Sequence, residues 1–249
     1  MPIGVIVNAC SVLFGGLIGA FLGDKIPERL RLALPLTFGA ASMGMGVIYT
    51  VKLKVLPAVI LALILGSAIG ELIRLEEKIG KWAQSARGPI EKLFSGKKTS
   101  AAQVEVAATS DNQNAFMEKF VGILILFCAS GTGIFGALNE GMTGDHSILL
   151  TKSILDFFTA GIFATSLGYL VGFICIPQII ILMALFFGAT FILPMTTPAL
   201  IADFTSLGGM IMLATGLRIS GIKAFPVANM IPGLILVMPI SHLWTTFIH

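Results

Sequence analysis

Long apolar runs separated by short polar stretches dominate this chain. Residues 157–202 form one such run, which contains no charged side chain. A helix needs roughly 20 apolar residues to cross a bilayer, so this run predicts two spans joined by a turn. The whole pattern predicts an all-α integral membrane bundle of about eight transmembrane helices. Their predicted bounds are 3–23, 34–51, 55–73, 117–138, 148–170, 174–193, 203–219 and 225–247.

Two connections in this pattern need a separate argument. We place the turn between the fifth and sixth spans at 172–177, because Gly172 and Pro177 are local helix breakers. After the third span, the helix predicted over 71–86 has one apolar face, which carries Leu72, Leu75, Ile79 and Trp82. This periodicity predicts an amphipathic helix along the membrane surface. Residues 95–115 are polar and aperiodic, as is typical of a flexible linker.

The first and last three spans align weakly with each other at one constant offset along the chain. Their matched positions are Gly19 with Gly188, Gly39 with Gly208, Met43 with Met212, Lys54 with Lys223 and Pro57 with Pro226. Five spans separate the two starts, so the repeats would have inverted topology, which is common in secondary transporters. This predicts four parts: repeats over 1–74 and 171–249, a cytoplasmic amphipathic helix and linker over 75–116, and two central spans over 117–170.

Composition supports the membrane prediction and charge orients it. Of the 249 residues, 56% are hydrophobic and 12% are charged, against about 25% charged in soluble domains. With the N-terminus outside, 13 Lys and Arg residues fall in cytoplasmic loops, and only Lys52 and Lys54 fall in outer loops. This bias predicts a bacterial inner-membrane protein with both termini outside. Since the basic residues follow topology rather than form one patch, we expect lipid contact and no nucleic-acid partner.

The fourth span contains three glycines and two hydroxyls within an apolar segment, at Ser130, Gly131, Thr132, Gly133 and Gly136. One interpretation is a broken helix whose exposed backbone groups face a ligand. The other is close helix packing through small residues. The spacing matches the nucleotide-binding GxGxxG pattern only formally, because that pattern requires a preceding strand.

The fifth span carries ionisable residues inside an apolar run. Lys152 and Asp156 are four residues apart, so they share a helical face and could pair. Ser153 and Thr159 would extend a polar stripe beside them. An ionisable group at this depth is costly and by default indicates a functional site. The alternative is a structural ion pair.

Single polar residues lie in or beside other spans, namely Asn8, Gln178, Asp203 and Asn229. Asn8, Gln178 and Asn229 could line a binding cavity, although one interhelical hydrogen bond is the commoner role of such residues. Asp203 is predicted to cap the seventh span. The glycine rows at 15, 19 and 23 and at 66 and 70 would pack helices within the protomer or in a homo-oligomer.

Motifs for other chemistry are not recognisable in this sequence. The three cysteines and three histidines show no metal-ligand spacing, so no metal or cofactor is expected. There is no Walker A motif and no nucleophile–base arrangement, so we do not expect an enzyme. Two functions remain open. One is a secondary transporter or passive pathway for a small solute or ion, and the other is a membrane scaffold or sensor that acts through its cytoplasmic segment.

Several short motifs resemble those of the YdfK/YqgA-type bacterial membrane protein family. They lie at 4–9, 15–16, 26–29, 128–136, 150–156, 163–168 and 227–232. The resemblance covers nearly the whole chain except 87–115. It implies a bacterial integral membrane protein of a family whose members are described as uncharacterised or as candidate transport proteins, and it supplies no substrate.

Overall fold

The computed structural model describes residues 1–85, 120 and 122–247, and over these residues all regular structure is helical. The helices are α1 (Ile3–Leu22), α2 (Glu28–Thr50), α3 (Leu56–Leu72), α4 (Leu75–Ser85), α5 (122–128), α6 (Gly131–Thr143), α7 (Ser147–Leu167), α8 (Leu170–Phe173), α9 (Cys175–Ile192), α10 (Pro198–Ile219), α11 (Val227–Met230) and α12 (Pro232–Phe247). Short 3-10 turns follow α1 at Gly23–Lys25 and α9 at Leu193–Met195.

Seven of the described helices are long and apolar enough to cross a bilayer, or eight if α3 and the start of α4 form one bent span. In this count α5 with α6, α8 with α9, and α11 with α12 each form one span. This confirms the predicted all-α polytopic membrane fold. The predicted linker at 95–115 lies outside the described residues.

Two spans form the centre of the bundle. In the most apolar stretches of residues 122–143 and of α10, 72% of the residues are buried, against 22–44% in the other five spans. Phe135 of α6 packs between Tyr49 and Phe204, with ring centroids 6.0 and 5.5 Å apart. Large apolar side chains such as Phe21 and Phe191 are exposed instead. A surface of this kind suits lipid rather than water.

Glycines set the closest helix contacts. A Cβ on Gly15 would lie 2.2 Å from the carbonyl oxygen of Phe157, and one on Gly19 would lie 2.0 Å from that of Gly161. The same order along both helices means that α1 and α7 run parallel. Gly66 and Gly70 approach the last span in a similar way, at Gly233 and Asn229. These glycines therefore pack helices within one chain. A Cβ on Gly23 would meet no other atom of the described residues within 4 Å.

Two pairs of helices that are equivalent in the predicted inverted repeats run antiparallel, as such repeats require. Gly39 contacts Gly216 and Gly46 contacts Gly209, so α2 and α10 run antiparallel. The contacts of Gly66 and Gly70 show the same for α3 and the last span. The separation between Gly39 and Gly208 is the offset between the two predicted repeats. Adding this offset to the bounds of α2 gives 197–219, and adding it to those of the turn Gly23–Lys25 gives 192–194. Both nearly coincide with observed elements, α10 and the turn Leu193–Met195. The division of the chain into repeats stays a prediction, which these directions and bounds support.

Several predicted boundaries were wrong. The second span begins at Glu28 rather than at 34, because its charged first turn is still helical. There Arg31 donates to the carbonyl oxygens of Gly23 and Ile26, near the end of α1. The fourth span continues to Thr143, where Gly144 ends it with a φ of 74°. The seventh begins at Pro198, with the Thr197 hydroxyl accepting from the Leu200 amide at 3.3 Å.

The turn between the fifth and sixth spans was also misplaced. It lies at Gly168, which ends α7 with a φ of 66°, and not at 172–177. A left-handed φ favours glycine. Pro177 lies in the first turn of α9, where its missing N–H removes no hydrogen bond within that helix.

The amphipathic helix is present as α4 and begins at Leu75. It bends away from α3 by 47°, at a break that includes Arg74 with a φ of 52°. The helices α1, α3 and α7 all end on this side of the bundle, which we call the linker end. The opposite side, which holds residues 1 and 247, is the terminal end.

Candidate functional site

The fourth span is broken inside the bundle, at 129–130. α5 ends at residue 128 and α6 begins at Gly131, with Ser130 as its N-cap. The Ser130 hydroxyl accepts a hydrogen bond from the Gly133 amide at 3.1 Å. A Cβ on Gly133 would lie 3.1 Å from Cε of Lys152. The break therefore puts the N-terminus of α6 beside the ionisable residues of α7.

Lys152 and Asp156 form a buried ion pair on α7. The Lys152 ammonium donates to Oδ2 of Asp156, and the two residues are 3% and 8% exposed. Asp156 lies nine positions after the start of α7, or about 14 Å along it. The Phe127 ring centroid is 5.9 Å from Lys152 Nζ. The predicted pairing at spacing i,i+4 is thus present in the structure, far from either helix end.

Two amides complete this cluster from separate helices. Asn8 of α1 donates to Asp156 Oδ2 at 2.8 Å, and Gln178 of α9 donates to the same oxygen at 3.2 Å. Gln178 also donates to Asn8 Oδ1 at 2.9 Å, and both amides are fully buried. Oδ2 thus accepts from three donors, a pattern that stabilises a charged carboxylate. We call these four residues, Asn8, Lys152, Asp156 and Gln178, the polar cluster.

A cavity of about 520 Å³ lies between the polar cluster and the linker end. Its walls come from α2, α5, α7 and α10, and include Pro35, Phe163, Ser166 and Arg218. This volume is within the usual range of small-molecule sites. Arg218 is its only charged lining residue within the described part of the chain.

A smaller recess of about 40 Å³ continues the cavity inward to Lys152 and Asp156. The cavity and the recess share six lining residues: Phe38, Leu126, Ser130, Thr159, Thr215 and Ile219. Ser42 and Thr132 also line the recess. A mainly apolar route with several Ser and Thr residues therefore leads from the linker half of the bundle to the ion pair.

The structure gathers most of the predicted site residues but not all of them. Asn8, Gln178, Lys152 and Asp156 form the polar cluster, and Ser130, Gly131, Thr132 and Gly133 form the start of α6 beside it. Ser153 is buried, but its hydroxyl donates to the Leu149 carbonyl within α7 at 2.6 Å. Asn229 lies at the linker end, outside both the cavity and the polar cluster.

Asn229 belongs to a second network, which fixes α4 to α11. Its side chain accepts from the Glu76 amide at 2.8 Å and donates to Glu71 at 2.6 Å. Glu76 accepts from Arg218 at 2.6 Å and from the Ala228 amide at 3.2 Å. This network ties the surface helix to a residue that lines the cavity.

The prediction that Asp203 caps the seventh span was wrong, because α10 already begins at Pro198. It is fully buried, and Oδ1 accepts from the amides of Lys54 and Val55 at 2.8 and 2.9 Å. Oδ2 accepts from the Ser241 hydroxyl at 2.5 Å. Asp203 therefore joins α10 to the start of α3 and to α12, and does not line the cavity.

Sequence reasoning missed Glu140, which lies just beyond the predicted end of its span. It is 2% exposed, and Oε1 accepts from the Gly4 amide at 2.8 Å, at the start of α1. Among the described residues nothing donates to Oε2. A carboxylate is favoured at a helix N-terminus, so Glu140 fixes the start of α1 at the terminal end.

Outside the polar cluster, the groups to consider are metal-ligating side chains and the charged residues of the terminal end. Within the described part of the chain, no three His, Cys, Asp or Glu side chains are grouped closely enough to hold a metal ion. At the terminal end, Asp145 accepts from the amide and hydroxyl of Ser147, and these hydrogen bonds hold its pKa below the ordinary value.

Comparisons with known proteins give a family but no activity. Residues 3–242 match the family described as "Protein of unknown function (DUF554)". The chain is 49% identical over 247 residues to "Uncharacterized protein YqgA" of Escherichia coli, covering 99% of both chains. It is 23% identical over 239 residues to "Uncharacterized membrane protein YdfK" of Bacillus subtilis, covering 94% of this chain and 93% of that one. No solved structure matches. This chain is therefore a membrane protein that belongs to the DUF554 family, as the resemblance in its sequence predicted.

Proposed function

We propose that this protein carries a small solute or ion across the membrane, as a secondary transporter or a passive pathway. One observation carries the proposal: a cavity in the linker half of the bundle narrows to a buried ion pair. On the far side of that pair Asn8 and Gln178 are fully buried, so the route is closed towards the terminal end. A cavity that reaches a central site from one side of the bundle is an arrangement that alternating access can use.

The polar cluster favours a role beyond packing. Burying two charges and two amides in a bundle is costly even when they are paired. Four apolar side chains could fill the same space without that cost. Asp156 also lines the recess, so a solute that reached the recess would contact it. We propose no enzymatic activity for this site.

The test is a flux assay in proteoliposomes. Wild type is compared with Asp156→Asn for a panel of ions and small metabolites. Asp203→Asn is the matched control, because Asp203 is a buried carboxylate outside the cavity. We expect wild-type flux that is lost in Asp156→Asn and kept in Asp203→Asn.

Folding must be separated from transport in this assay. The double variant Lys152→Met/Asp156→Asn removes both charges and so leaves neither unpaired. If it folds and carries solute at the wild-type rate, the ion pair is not part of the pathway. Equal flux with protein-free liposomes across the panel would contradict the proposal itself.

The second candidate is a membrane scaffold or sensor. It is favoured by α4, a surface helix that Glu76 fixes to Arg218 and Ala228. Deletion of 95–115 distinguishes the two functions. A transporter should keep its flux in this variant, whereas a scaffold should lose its cellular phenotype.

We also propose the bacterial inner membrane as the location, with both termini outside. The support is the excess of Lys and Arg in the loops at the linker end. A reporter that is active only in the periplasm, fused after residue 249, should be active. A reporter inserted at residue 100 should be inactive.

A further inference from the structure

The first turn of α6 presents amide donors without acceptors. The Gly133 amide donates to the Ser130 hydroxyl, and the Ile134 amide to the Ser130 carbonyl at 3.0 Å. For the amides of Gly131 and Thr132, the described residues provide no acceptor. The N–H groups of a first turn point along the helix axis, away from the helix body. Ala129 and Ser130, which precede this turn in the chain, line the cavity, and Ser130 and Thr132 also line the recess.

The Thr132 side chain, beside these amides, is a further donor that is not engaged by the described residues. Thr132 is 4% exposed and lines the recess, and its side chain makes no hydrogen bond within the described part of the chain. The other hydroxyls on Ser42, Thr159 and Thr215 already donate to backbone carbonyls. Buried polar groups are nearly always hydrogen-bonded. A ligand in the recess can therefore bond to the Thr132 hydroxyl.

The charges along the route favour an acceptor with negative charge. Lys152 and Arg218 are cations, and Asp156 is the single carboxylate among the described lining residues. Because Arg218 is itself paired with Glu76, the donors that favour an anion are those of Lys152 and of the start of α6. Three donors already converge on Oδ2 of Asp156. Lys152 has three N–H donors, and one of them goes to Asp156. The N-terminus of α6 adds a partial charge of about +0.5.

We propose that the recess binds a small monovalent anion, such as a halide, nitrate or formate. The inference rests on the proposed function and names its substrate class. The amides of Gly131 and Thr132, the Thr132 hydroxyl and the free N–H groups of Lys152 would hold the anion. The recess volume of about 40 Å³ leaves room for one such ion, since about 10–15 Å³ of this kind of volume already holds a water molecule. The wider cavity leads to it.

Thr132→Val tests this site with the smallest change in shape, because it replaces only the hydroxyl. Thr205→Val is the matched control. Thr205 is also 4% exposed in a central span, but its hydroxyl donates to the Ile201 carbonyl at 2.7 Å and does not line the cavity. Chloride, nitrate and formate flux is measured in proteoliposomes, beside potassium and glycerol flux. Thermal unfolding of the purified protein is measured in nitrate and in gluconate at equal ionic strength.

We expect anion flux that falls about tenfold or more in Thr132→Val, since a hydrogen bond to a charged group is lost, and that stays near wild type in Thr205→Val. Nitrate should raise the unfolding temperature of wild type but not of Thr132→Val. Potassium or glycerol flux without anion flux would overturn the anion class and leave transport standing. Stabilisation by nitrate that depends on Thr132, with no flux of any solute, would support the anion site and overturn the proposed function.

Discussion

The ion pair of Lys152 and Asp156 gives a prediction whose size can be worked out. Removing one partner of a buried ion pair typically costs about 3–5 kcal/mol, because the other charge is left unpaired. In Lys152→Met, the Asp156 carboxylate would keep only the amides of Asn8 and Gln178. In Asp156→Asn, the Lys152 ammonium would keep mainly the Phe127 ring, and such contacts contribute about 2 kcal/mol when desolvated, which is less than the cost of the unpaired charge.

The expected cost is at the low end of this range. Both residues lie on α7, so the pair can persist when the helices separate but α7 stays helical. We therefore expect each single variant to lose about 3 kcal/mol of unfolding free energy. The double variant should lose no more than one single variant does. The coupling energy of the pair is then about 3 kcal/mol.

The assay is equilibrium unfolding in mixed micelles, followed by circular dichroism. The control is the exposed pair Glu77 and Lys81 on α4, which has the same i,i+4 spacing with N and O 2.5 Å apart. Its coupling should be about 0.3–0.5 kcal/mol. If the costs of Lys152→Met and Asp156→Asn simply add within about 0.5 kcal/mol, burial does not strengthen the pair and the reasoning is refuted.

Three further predictions concern other parts of the bundle. Gly19→Ala should lower the free energy of unfolding by about 1–3 kcal/mol in the same assay, because its Cβ would overlap the Gly161 carbonyl. Its control, Gly44→Ala, has open space for the Cβ and should be unchanged or slightly more stable than wild type. Glu76→Gln should speed amide hydrogen exchange in α4 several-fold by weakening its bond to Arg218, and unchanged exchange would mean that Asn229 alone holds the helix. Asp145 has a lowered pKa in the folded state, so its stabilising charge is complete above its ordinary pKa of 3.8 and is lost as the pH falls through the lower folded value. Thermal unfolding from pH 6 to pH 3 should therefore show the gap between wild type and Asp145→Asn closing below about pH 4, and a constant gap would contradict this.

The sequence predicted the membrane fold and the ion pair because both have strong local signals. Apolar runs of roughly 20 residues define spans, and two opposite charges at spacing i,i+4 must share a helical face. Asn8 and Gln178 were also identified, since an amide in an apolar run is costly. That they meet at one carboxylate required the fold, because they lie 170 residues apart in the chain.

Other parts of the site leave no signal in a single sequence. Thr215 donates to the Ile211 carbonyl of its own helix, so nothing in its spacing distinguishes a cavity wall from packing, whereas the spacing of Thr159 had predicted its place beside Asp156. Asn229 resembled a cavity residue, but a polar group near a span end can equally bond a surface helix. Glu140 and Asp203 were misjudged because each depended on a misplaced span boundary, and the charged or capping residues near span ends leave such boundaries ambiguous.

The parallel packing of α1 on α7 has a consequence for biosynthesis. Gly15 cannot pack against Phe157 until Phe157 has been synthesised. At about 5–20 residues per second, translation of the intervening chain takes roughly 7–28 s. During this interval Asn8 lies in the first membrane-inserted helix without Asp156 or Gln178. The newly made helix therefore needs another temporary partner, from the insertion machinery or from α2 and α3, until the fifth span arrives.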